Sequence, residues 1–308
     1  MYDIYQKTIK GNVEFKGIGL HSGKSSKITI FPGKDDQGII FKRTDLNQNN
    51  LVKANYKNVS SAKLCTTLEN NHGTKVSTVE HLLAALYIIG IDNAVIEIDN
   101  EEVPIMDGSA KDFLKVLQKI EINILTKKRK YIKILNKVEL QDGERKIYIE
   151  PSNSSFEVDF QLNYENEVIG KQKNSINLQQ DNLNEIIESR TFCLFEDIEK
   201  IKKAGLAKGG SLDNAVVVDN EKVLNEGGLR NKKEFVNHKI LDLVGDFLLL
   251  EHRILGKVYC DQGGHQLTNL FLRKLFDSKS AFKYLEFDEI KMHKEINATH
   301  PTKIAVNA

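Results

Sequence analysis

The stretch FVNHKILDLVGDFLLL, residues 235–250, sets polar side chains into an otherwise apolar segment. His238, Asp242 and Asp246 are spaced by four residues, so on an α-helix they lie along one face. The leucine, valine and phenylalanine residues around them require that this helix be largely covered by protein, so we expect the imidazole and the carboxylates to be buried as well. Buried charge needs a partner. A divalent metal would provide one, and zinc suits His nitrogen and Asp oxygen ligands.

The same spacing also has a simpler interpretation. His238 can make an ordinary hydrogen bond inside a packed helix, and the two aspartates can form ion pairs. Two polar residues at helical spacing are common, so an H-x-x-x-D pattern alone does not establish a metal site. The metal hypothesis therefore requires a third ligand and an acid–base group elsewhere in the chain.

The overall composition gives no sign of a nucleic-acid or membrane partner. Among 308 residues, 44 Lys plus Arg balance 43 Asp plus Glu, for a net charge of +1, so there is no global attraction to a polyanion. The N-terminus has no apolar signal region, and no apolar run approaches the roughly 18 residues of a spanning helix. We therefore expect a cytoplasmic protein without a transmembrane segment.

The three cysteines, Cys65, Cys193 and Cys260, lie far apart and form no C-x-x-C motif. This spacing argues against a disulfide framework and against a zinc site built from thiolates. Any metal would therefore be held by histidine and carboxylate side chains. The chain length allows one large domain or two domains of about 150 residues each.

The first half of the chain combines β-type patterns with one strongly apolar helical run. Residues 7–41 alternate apolar and polar side chains between glycines, which is typical of antiparallel strands. STVEHLLAALYIIG, at 77–90, has a helical pattern. Ser77 and Glu80 match a capping box, and Gly90 can end the helix. The remaining predicted elements are a short strand near 65–68, a strand at 94–99 and a helix at 109–120.

A basic segment, TKKRK at 126–130, is predicted to be a solvated linker. We place the domain boundary there, giving domains 1–126 and 127–308. β patterns resume after it, and the Asn- and Gln-rich segment 163–184 is predicted to be a loop. Three helices are then predicted, at 196–204, 235–250 and 265–275, with a strand between the last two.

Both halves share the order of several strands, a helix that bears a histidine, a strand and a closing helix. This order predicts an α+β fold of two similar domains packed through their helices. Such packing would bring His81 of the first half and His238 of the second to one cleft. His81, His238 and Asp242 would then supply the three protein ligands of a catalytic zinc. Alone, His81 has the simpler interpretation of a satisfied helix histidine.

Two further groups suit acid–base chemistry. Glu80 adjoins the candidate ligand His81 and could remove a proton from an activated water, although it also fits the capping box. GGHQLTN places His265 after two glycines at the start of a helix, where Asp246 could pair with it and raise its pKa. A local hydrogen bond for His265 and a plain ion pair for Asp246 are the alternatives.

Taken together, the motifs of the chain resemble those of the UDP-3-O-acyl-N-acetylglucosamine deacetylases, the zinc enzymes of the committed step of lipid A synthesis in Gram-negative bacteria. The resemblance covers nearly the whole chain and rests on many matches in order. These are GIGLHSGK (17–24), STVEHL (77–82), IDNAVIEID (91–99), VPIMDGSA (103–110), SRTF (189–192), GGSLDNAVVVD (209–219), VLNEGGLR (223–230), HKILDLVGD (238–246) and GGHQLTN (263–269).

The resemblance implies the fold of two β-α-α-β domains packed helix layer to helix layer, with the site at their interface. It also implies hydrolysis of the N-acetyl group of UDP-3-O-acyl-N-acetylglucosamine to acetate and a free amine. The implied metal is one zinc ion. Two histidines and an aspartate also suit iron(II), which is the alternative, and a monomer is expected. The implied residue roles are zinc ligation by His81, His238 and Asp242, general base Glu80, general acid His265, oxyanion stabilisation by Thr191, orientation of His265 by Asp246, and substrate contacts from Phe192, Lys239, Leu64, Leu206 and Gly210.

Within that resemblance, the stretch from Cys193 to Ser211 corresponds to an insert that carries the acyl chain in a hydrophobic passage. On its residues alone it is an amphipathic helix followed by a glycine turn, for which core packing is the default interpretation. Two other classes of protein stay open. One is a scaffold or binding protein with merely packed His and Asp residues, and the other is a metal hydrolase with a different substrate.

Overall fold

A computed structural model of the chain describes residues 3–152 and 155–288. Residues 289–308, the end of the second predicted domain, lie outside the described residues. The fold mixes helices with several sheets, consistent with the α+β class. In the first part of the chain the elements are β1 (Tyr5–Ile9), β2 (Val13–Ile18), β3 (Ser25–Pro32), β4 (Ile39–Arg43), β5 (Leu51–Lys53), β6 (Val59–Ser61), β7 (Thr67–Glu69), β8 (Lys75–Val76), α1 (Glu80–Ile89), β9 (Ala94–Ile98), α2 (Lys111–Leu117) and β10 (Ile122–Lys128).

The second part of the chain continues directly from the first. Its elements are β11 (Lys130–Ile134), β12 (Val138–Asp142), β13 (Arg145–Glu150), β14 (Phe156–Asn163), β15 (Lys171–Asn177), α3 (Asn184–Glu188), β16 (Phe192–Leu194), α4 (Phe195–Lys203), β17 (Val216–Asp219), β18 (Lys222–Val223), α5 (Glu234–Leu248), β19 (Arg253–Asp261), α6 (His265–Asp277) and β20 (Phe282–Glu286). No helix among these has the length and apolar character needed to cross a bilayer.

Two larger sheets account for most of the strands. The first has the order β2-β3-β9-β4-β5, in which β9 runs antiparallel to β3 and parallel to β4. The second has the order β12-β13-β19-β11-β20, and β14 also pairs with β19 and carries β15 at its other side. In each sheet the strand that follows a buried helix, β9 after α1 and β19 after α5, lies among the inner strands.

The two buried helices pack against each other at the centre of the molecule. In α1 every residue from Glu80 to Tyr87 is buried, and in α5 Lys239 is the one residue not classed as buried. A helix that is apolar nearly all round is stable only inside a core. The main core cluster accordingly draws side chains from both helices and both large sheets, including Leu82, Phe247 and Ile96.

Gly245 sets how closely α1 and α5 approach. A Cβ atom at this position would lie 2.1 Å from the carbonyl oxygen of Glu80 and 3.1 Å from the backbone nitrogen of Ala84. No packed side chain can keep the first of these distances, so the helices would have to separate. Because Gly245 lies between Asp242 and Asp246 on α5, the glycine also determines how near α1 comes to those carboxylates.

We therefore expect Gly245→Ala to destabilise the protein by about 1–3 kcal/mol, the usual cost of overpacking a core, despite the better helix propensity of alanine. Urea denaturation measures the change. Gly264→Ala is the matched control, because its φ of 179° suits any residue and its Cβ would meet no atom within 4 Å. Equal unfolding midpoints for the Gly245→Ala and Gly264→Ala proteins would contradict this account of the helix contact.

The prediction of a solvated linker at 126–130 is wrong. These residues end β10 and begin β11, and Arg129 between them is 4% exposed. Its guanidinium contacts Asp3 at 2.6 Å and Asp92 at 2.6 Å and donates to the carbonyl of Gly90 at 2.7 Å. The basic run suggested solvent exposure, but carboxylates that are distant in sequence neutralise Arg129 and allow its burial.

Two local predictions also need correction. The segment 163–184 was predicted to be a loop, but it contains β15, which pairs with β14 along its whole length. The capping box at Ser77 and Glu80 is absent, since α1 begins at Glu80 without a side-chain cap. Ser77 instead hydrogen-bonds the carbonyl of Glu101. The predicted stop at Gly90 is confirmed, with a left-handed φ of 87°.

Candidate metal centre and active site

Helix α5 carries His238, Asp242 and Asp246 on one buried face, as the four-residue spacing predicted. Their side chains are 2%, 6% and 4% exposed. His238 Nε2 lies 3.3 Å from Asp242 Oδ1. On the other side of the ring, His238 Nδ1 lies 3.1 Å from the carbonyl oxygen of Ser189. A carbonyl can only accept, so Nδ1 carries the hydrogen and Nε2 of the neutral ring turns its lone pair towards Asp242.

Helix α1 brings His81 to the same point. His81 Nε2 lies 3.4 Å from Asp242 Oδ1, and the rings of His81 and His238 are 5.0 Å apart and nearly perpendicular. One ligand atom from each of His81, His238 and Asp242 lies within 4.8 Å of the other two. The two histidines thus share one site, as the metal hypothesis required.

The charges of this group fit a bound cation. Burial lowers the pKa of His238 to about 3, so its ring is neutral at pH 7. Burial alone would raise the pKa of Asp242, but the neighbouring His238 and Lys239 hold it well below its usual value. Asp242 Oδ1 is buried and makes no hydrogen bond. A buried carboxylate oxygen that faces the Nε2 atoms of two imidazoles is the arrangement that a divalent metal stabilises.

His265 lies beside this group, between two carboxylates. Its Nδ1 is 2.8 Å from Asp246 Oδ2, and its Nε2 is 3.5 Å from Glu80 Oε1 and 3.8 Å from Asp242 Oδ2. The predicted pairing of Asp246 with His265 is therefore present. Burial opposes the charged ring, but the attraction of Asp246, Glu80 and Asp242 outweighs it and raises the pKa of His265 to about 10. The imidazole is thus held protonated at neutral pH.

Glu80 begins α1 with its carboxylate turned into the site. Burial raises the pKa of Glu80, and the adjacent His265 and His81 oppose that rise. A raised carboxyl pKa moves the group towards the range in which a base works best near pH 7. Its Oε2 accepts a hydrogen bond from the backbone N–H of Thr66 at 3.0 Å. Because the Glu80 side chain does not cap the helix, its carboxylate can take part in a reaction.

Residues 189–191 support the site from one side. Buried Arg190 donates through Nε to Glu234 Oε1 at 2.8 Å, which ties this segment to the start of α5. Ser189 thereby presents its carbonyl to His238. Thr191 follows, with its backbone held by Gly108 at 2.8 Å and Val216 at 2.7 Å. The sequence reasoning missed Ser189 as a functional position because a backbone carbonyl leaves no signal in residue type.

An apolar cavity of about 330 Å³ begins next to this segment. Thr191 and Phe192 are in its wall, and the ring of Phe192 is also 6.2 Å from that of His238, so the cavity adjoins the candidate metal ligands. Lys239 extends its Nζ over the Phe192 ring at 5.4 Å and lies 3.2 Å from Asp242 Oδ2. The cavity wall also includes Leu20, His21, Cys193, Phe195, Ile198, Ile201, Leu212, Ala215, Val217 and Leu224.

Three further residues, Leu64, Leu206 and Gly210, were predicted to contact the substrate, and not all of them line the cavity. Leu64 and Gly210 line the cavity. Leu206 is not among the described lining residues. It sits just beyond the end of α4, where its N–H donates to the carbonyl of Ile201 at 3.1 Å. The neighbouring Ala207, whose φ is 52°, faces the cavity instead.

Comparison with known proteins gives the family. The model of LpxC, UDP-3-O-acyl N-acetylglycosamine deacetylase, matches residues 6–277, which include every candidate site residue. The chain belongs to the UDP-3-O-acyl-N-acetylglucosamine deacetylase family. The resemblance drawn from the ordered motifs is thereby confirmed.

Curated members of this deacetylase family align with nearly the whole chain. The UDP-3-O-acyl-N-acetylglucosamine deacetylase of Pasteurella multocida (strain Pm70) is 40% identical over 93% of this chain and 94% of its own length. That of Pseudoalteromonas translucida (strain TAC 125) is 42% identical over 92% and 95%. That of Haemophilus influenzae (strain 86-028NP) is 39% identical over 93% and 94%.

Proposed function

We propose that this chain is a zinc-dependent amidase of lipid A biosynthesis. It hydrolyses the N-acetyl group of UDP-3-O-acyl-N-acetylglucosamine and gives UDP-3-O-acyl-glucosamine and acetate. The observation that carries the proposal is the convergence of His81, His238 and Asp242 beside Glu80 and His265, in a chain of the deacetylase family. A merely packed scaffold does not account for two imidazole nitrogens that approach the same buried carboxylate oxygen.

The metal ligands in this proposal are His81, His238 and Asp242. Zinc suits two imidazole nitrogens and one carboxylate oxygen, and iron(II) is the alternative ion for the same ligands. A divalent ion held there would polarise the amide carbonyl and would lower the pKa of a water towards about 7. With three protein ligands, such an ion would remain open to substrate or water.

The remaining steps belong to side chains of the chain itself. Glu80 takes up the proton of the attacking water, and the Thr191 hydroxyl donates a hydrogen bond to the carbonyl oxygen as negative charge develops on it. His265, kept protonated by Asp246, gives a proton through Nε2 to the departing nitrogen. Without that proton an amide nitrogen leaves poorly. The products are acetate and the free glucosamine amine.

Substrate binding is assigned to the residues around the cavity. Phe192 and Lys239 lie between the metal ligands and the cavity, which suits contacts to the sugar and its acyl group. The apolar wall, with Leu64 and Gly210, suits an acyl chain. Leu206 stays a predicted contact that would require a shift at the turn after α4.

The proposal includes a two-domain architecture with the site between the domains. The order α1-β9-α2 matches the order α5-β19-α6, and α1 packs on α5. This repetition supports two similar β-α-α-β domains, 1–126 and 127–308, that meet through their helices. A monomeric state and a cytoplasmic location stay predictions from the sequence.

Removing the metal tests the proposal. Dialysis against a chelator is expected to lower acetate release from the acylated UDP-sugar by about 100-fold or more, because the ion supplies several kcal/mol of transition-state stabilisation. One equivalent of zinc added back is expected to restore it. Acetate release is measured alongside metal analysis of the same sample. Full activity in metal-free protein would exclude the metal mechanism. Zinc-dependent hydrolysis of other amides, without acetate release from this UDP-sugar, would exclude the proposed substrate.

A further inference from the structure

Thr66 is a buried residue that contacts both carboxylates beside His265. It lies just before β7, in the first part of the chain, and is 2% exposed. Its hydroxyl donates to Asp246 Oδ1 at 2.7 Å, and its backbone N–H donates to Glu80 Oε2 at 3.0 Å. One residue therefore holds both carboxylates that flank His265, one from α5 and one from α1.

The four carboxylate oxygens divide evenly between two partners. Asp246 turns Oδ1 to Thr66 and Oδ2 to His265 Nδ1, at 2.8 Å. Glu80 turns Oε2 to Thr66 and Oε1 towards His265 Nε2, at 3.5 Å. Thr66 thus fixes the rotation of each carboxylate by binding the oxygen that points away from His265. The other oxygen of each carboxylate faces a ring nitrogen of His265.

This arrangement matters because the chemistry needs both groups in one orientation. A carboxylate with one partner can rotate about its terminal bond, whereas one held at both oxygens cannot. The donors also matter electrostatically, because two buried carboxylates beside each other repel and hydrogen bonds to each of them offset part of that cost. Supporting hydrogen bonds of this kind orient the groups that act on a substrate.

We propose that Thr66 is a positioning residue for the deacetylation, which holds the general base Glu80 and the His265–Asp246 pair in register. The inference rests on the proposed function for its kinetic effect. Its structural part, the orientation of the two carboxylates, stands independently of the reaction. The side chain acts through the hydroxyl on Asp246, whereas the contact to Glu80 comes from the backbone and survives substitution of the side chain.

The test compares three variants of the full chain. Thr66→Val keeps the shape and removes the hydroxyl, and Thr66→Ser keeps the hydroxyl and removes the methyl group. Thr8→Val is the matched control, because Thr8 is 1% exposed and its hydroxyl donates to the carbonyl of Asn93 at 2.7 Å in β1, outside the site. The measurements are kcat and KM for acetate release, the zinc content, and the crystal structure of metal-free Thr66→Val protein.

We expect Thr66→Val to lower kcat by about 10- to 100-fold with little change in KM or zinc content. Thr66→Ser and Thr8→Val are expected to stay close to wild type in kcat. The crystal structure is expected to show the Asp246 carboxylate rotated away from His265 Nδ1. Equal kcat values for Thr66→Val and wild type, or equal losses in the Val and Ser variants, would overturn the proposal. If wild-type protein releases no acetate, the proposed function fails, while an unmoved Asp246 in the crystal structure would still overturn the role of Thr66.

Discussion

Replacing His265 with alanine is expected to leave the metal bound and to lower kcat by about 10²- to 10⁴-fold, the usual contribution of a positioned general acid. His265 is outside the group of His81, His238 and Asp242 that can hold the ion. Its Nδ1 is taken by Asp246, and its Nε2 is the nitrogen that faces Asp242, one of the proposed ligands. The variant would lose the proton donor for the departing nitrogen while every ligand stays in place.

The measurement combines steady-state acetate release with metal analysis and thermal melting. Melting is needed because the alanine variant leaves Glu80 and Asp246 without the positive ring between them, which destabilises a buried carboxylate. His265→Gln keeps more of the side-chain volume and serves as a second variant. His72→Ala, at an exposed turn between β7 and β8, is the matched control. Undiminished deacetylation by His265→Ala would remove this residue from the acid role.

The centre of the fold was predictable because its signals are local and periodic. The four-residue spacing of His238, Asp242 and Asp246 predicts that they share one helix face. The apolar residues between them predict that the other faces are buried. The helix at α1 was predicted from its apolar run, and its end at Gly90 follows from the left-handed backbone there. Such features depend on residues within a few turns of each other, which a single sequence displays.

The errors arose where distant residues decide the structure. The sequence of strand β15 resembles a polar loop because the strand lies at the edge of its sheet, where Ile176 is its one buried side chain. An edge strand needs few apolar residues when its neighbour supplies the hydrogen bonds. Arg129 was predicted to be solvent-exposed with its basic neighbours because Asp3 and Asp92, which neutralise its charge, are far away in sequence.

Thr66 was overlooked for the same physical reason. Its hydroxyl contacts a carboxylate 180 residues away in the chain. In CTTL, at residues 65–68, neither threonine stands out by type, spacing or flanking pattern. A positioning residue of this kind becomes visible only when the close packing of α1 and α5, which Gly245 permits, brings the carboxylates together.

Replacing His238 with alanine is expected to have the largest effect on the metal itself. His238 is 2% exposed, and its Nε2 is one of the three ligand atoms that converge within 4.8 Å. Loss of a supporting hydrogen bond outside the ligand set costs about 10- to 100-fold in metal affinity, so loss of a ligand is expected to cost more than about 100-fold. Acetate release should fall together with zinc content.

A competition titration against a chromophoric chelator measures the zinc affinity of the variant. His252→Ala is the matched control, since His252 lies beyond the C-terminal end of α5 and packs edge-on against Tyr284. It is expected to bind zinc like the wild-type protein.

The His238→Ala and His265→Ala variants together also separate two explanations of lost activity, which are loss of the metal and loss of the proton donor. His238→Ala is expected to regain part of its turnover in excess zinc, whereas His265→Ala is not, because its ligands are intact. Tight, stoichiometric zinc in His238→Ala protein would show that the ion is held elsewhere and would remove the basis of the proposed metal centre.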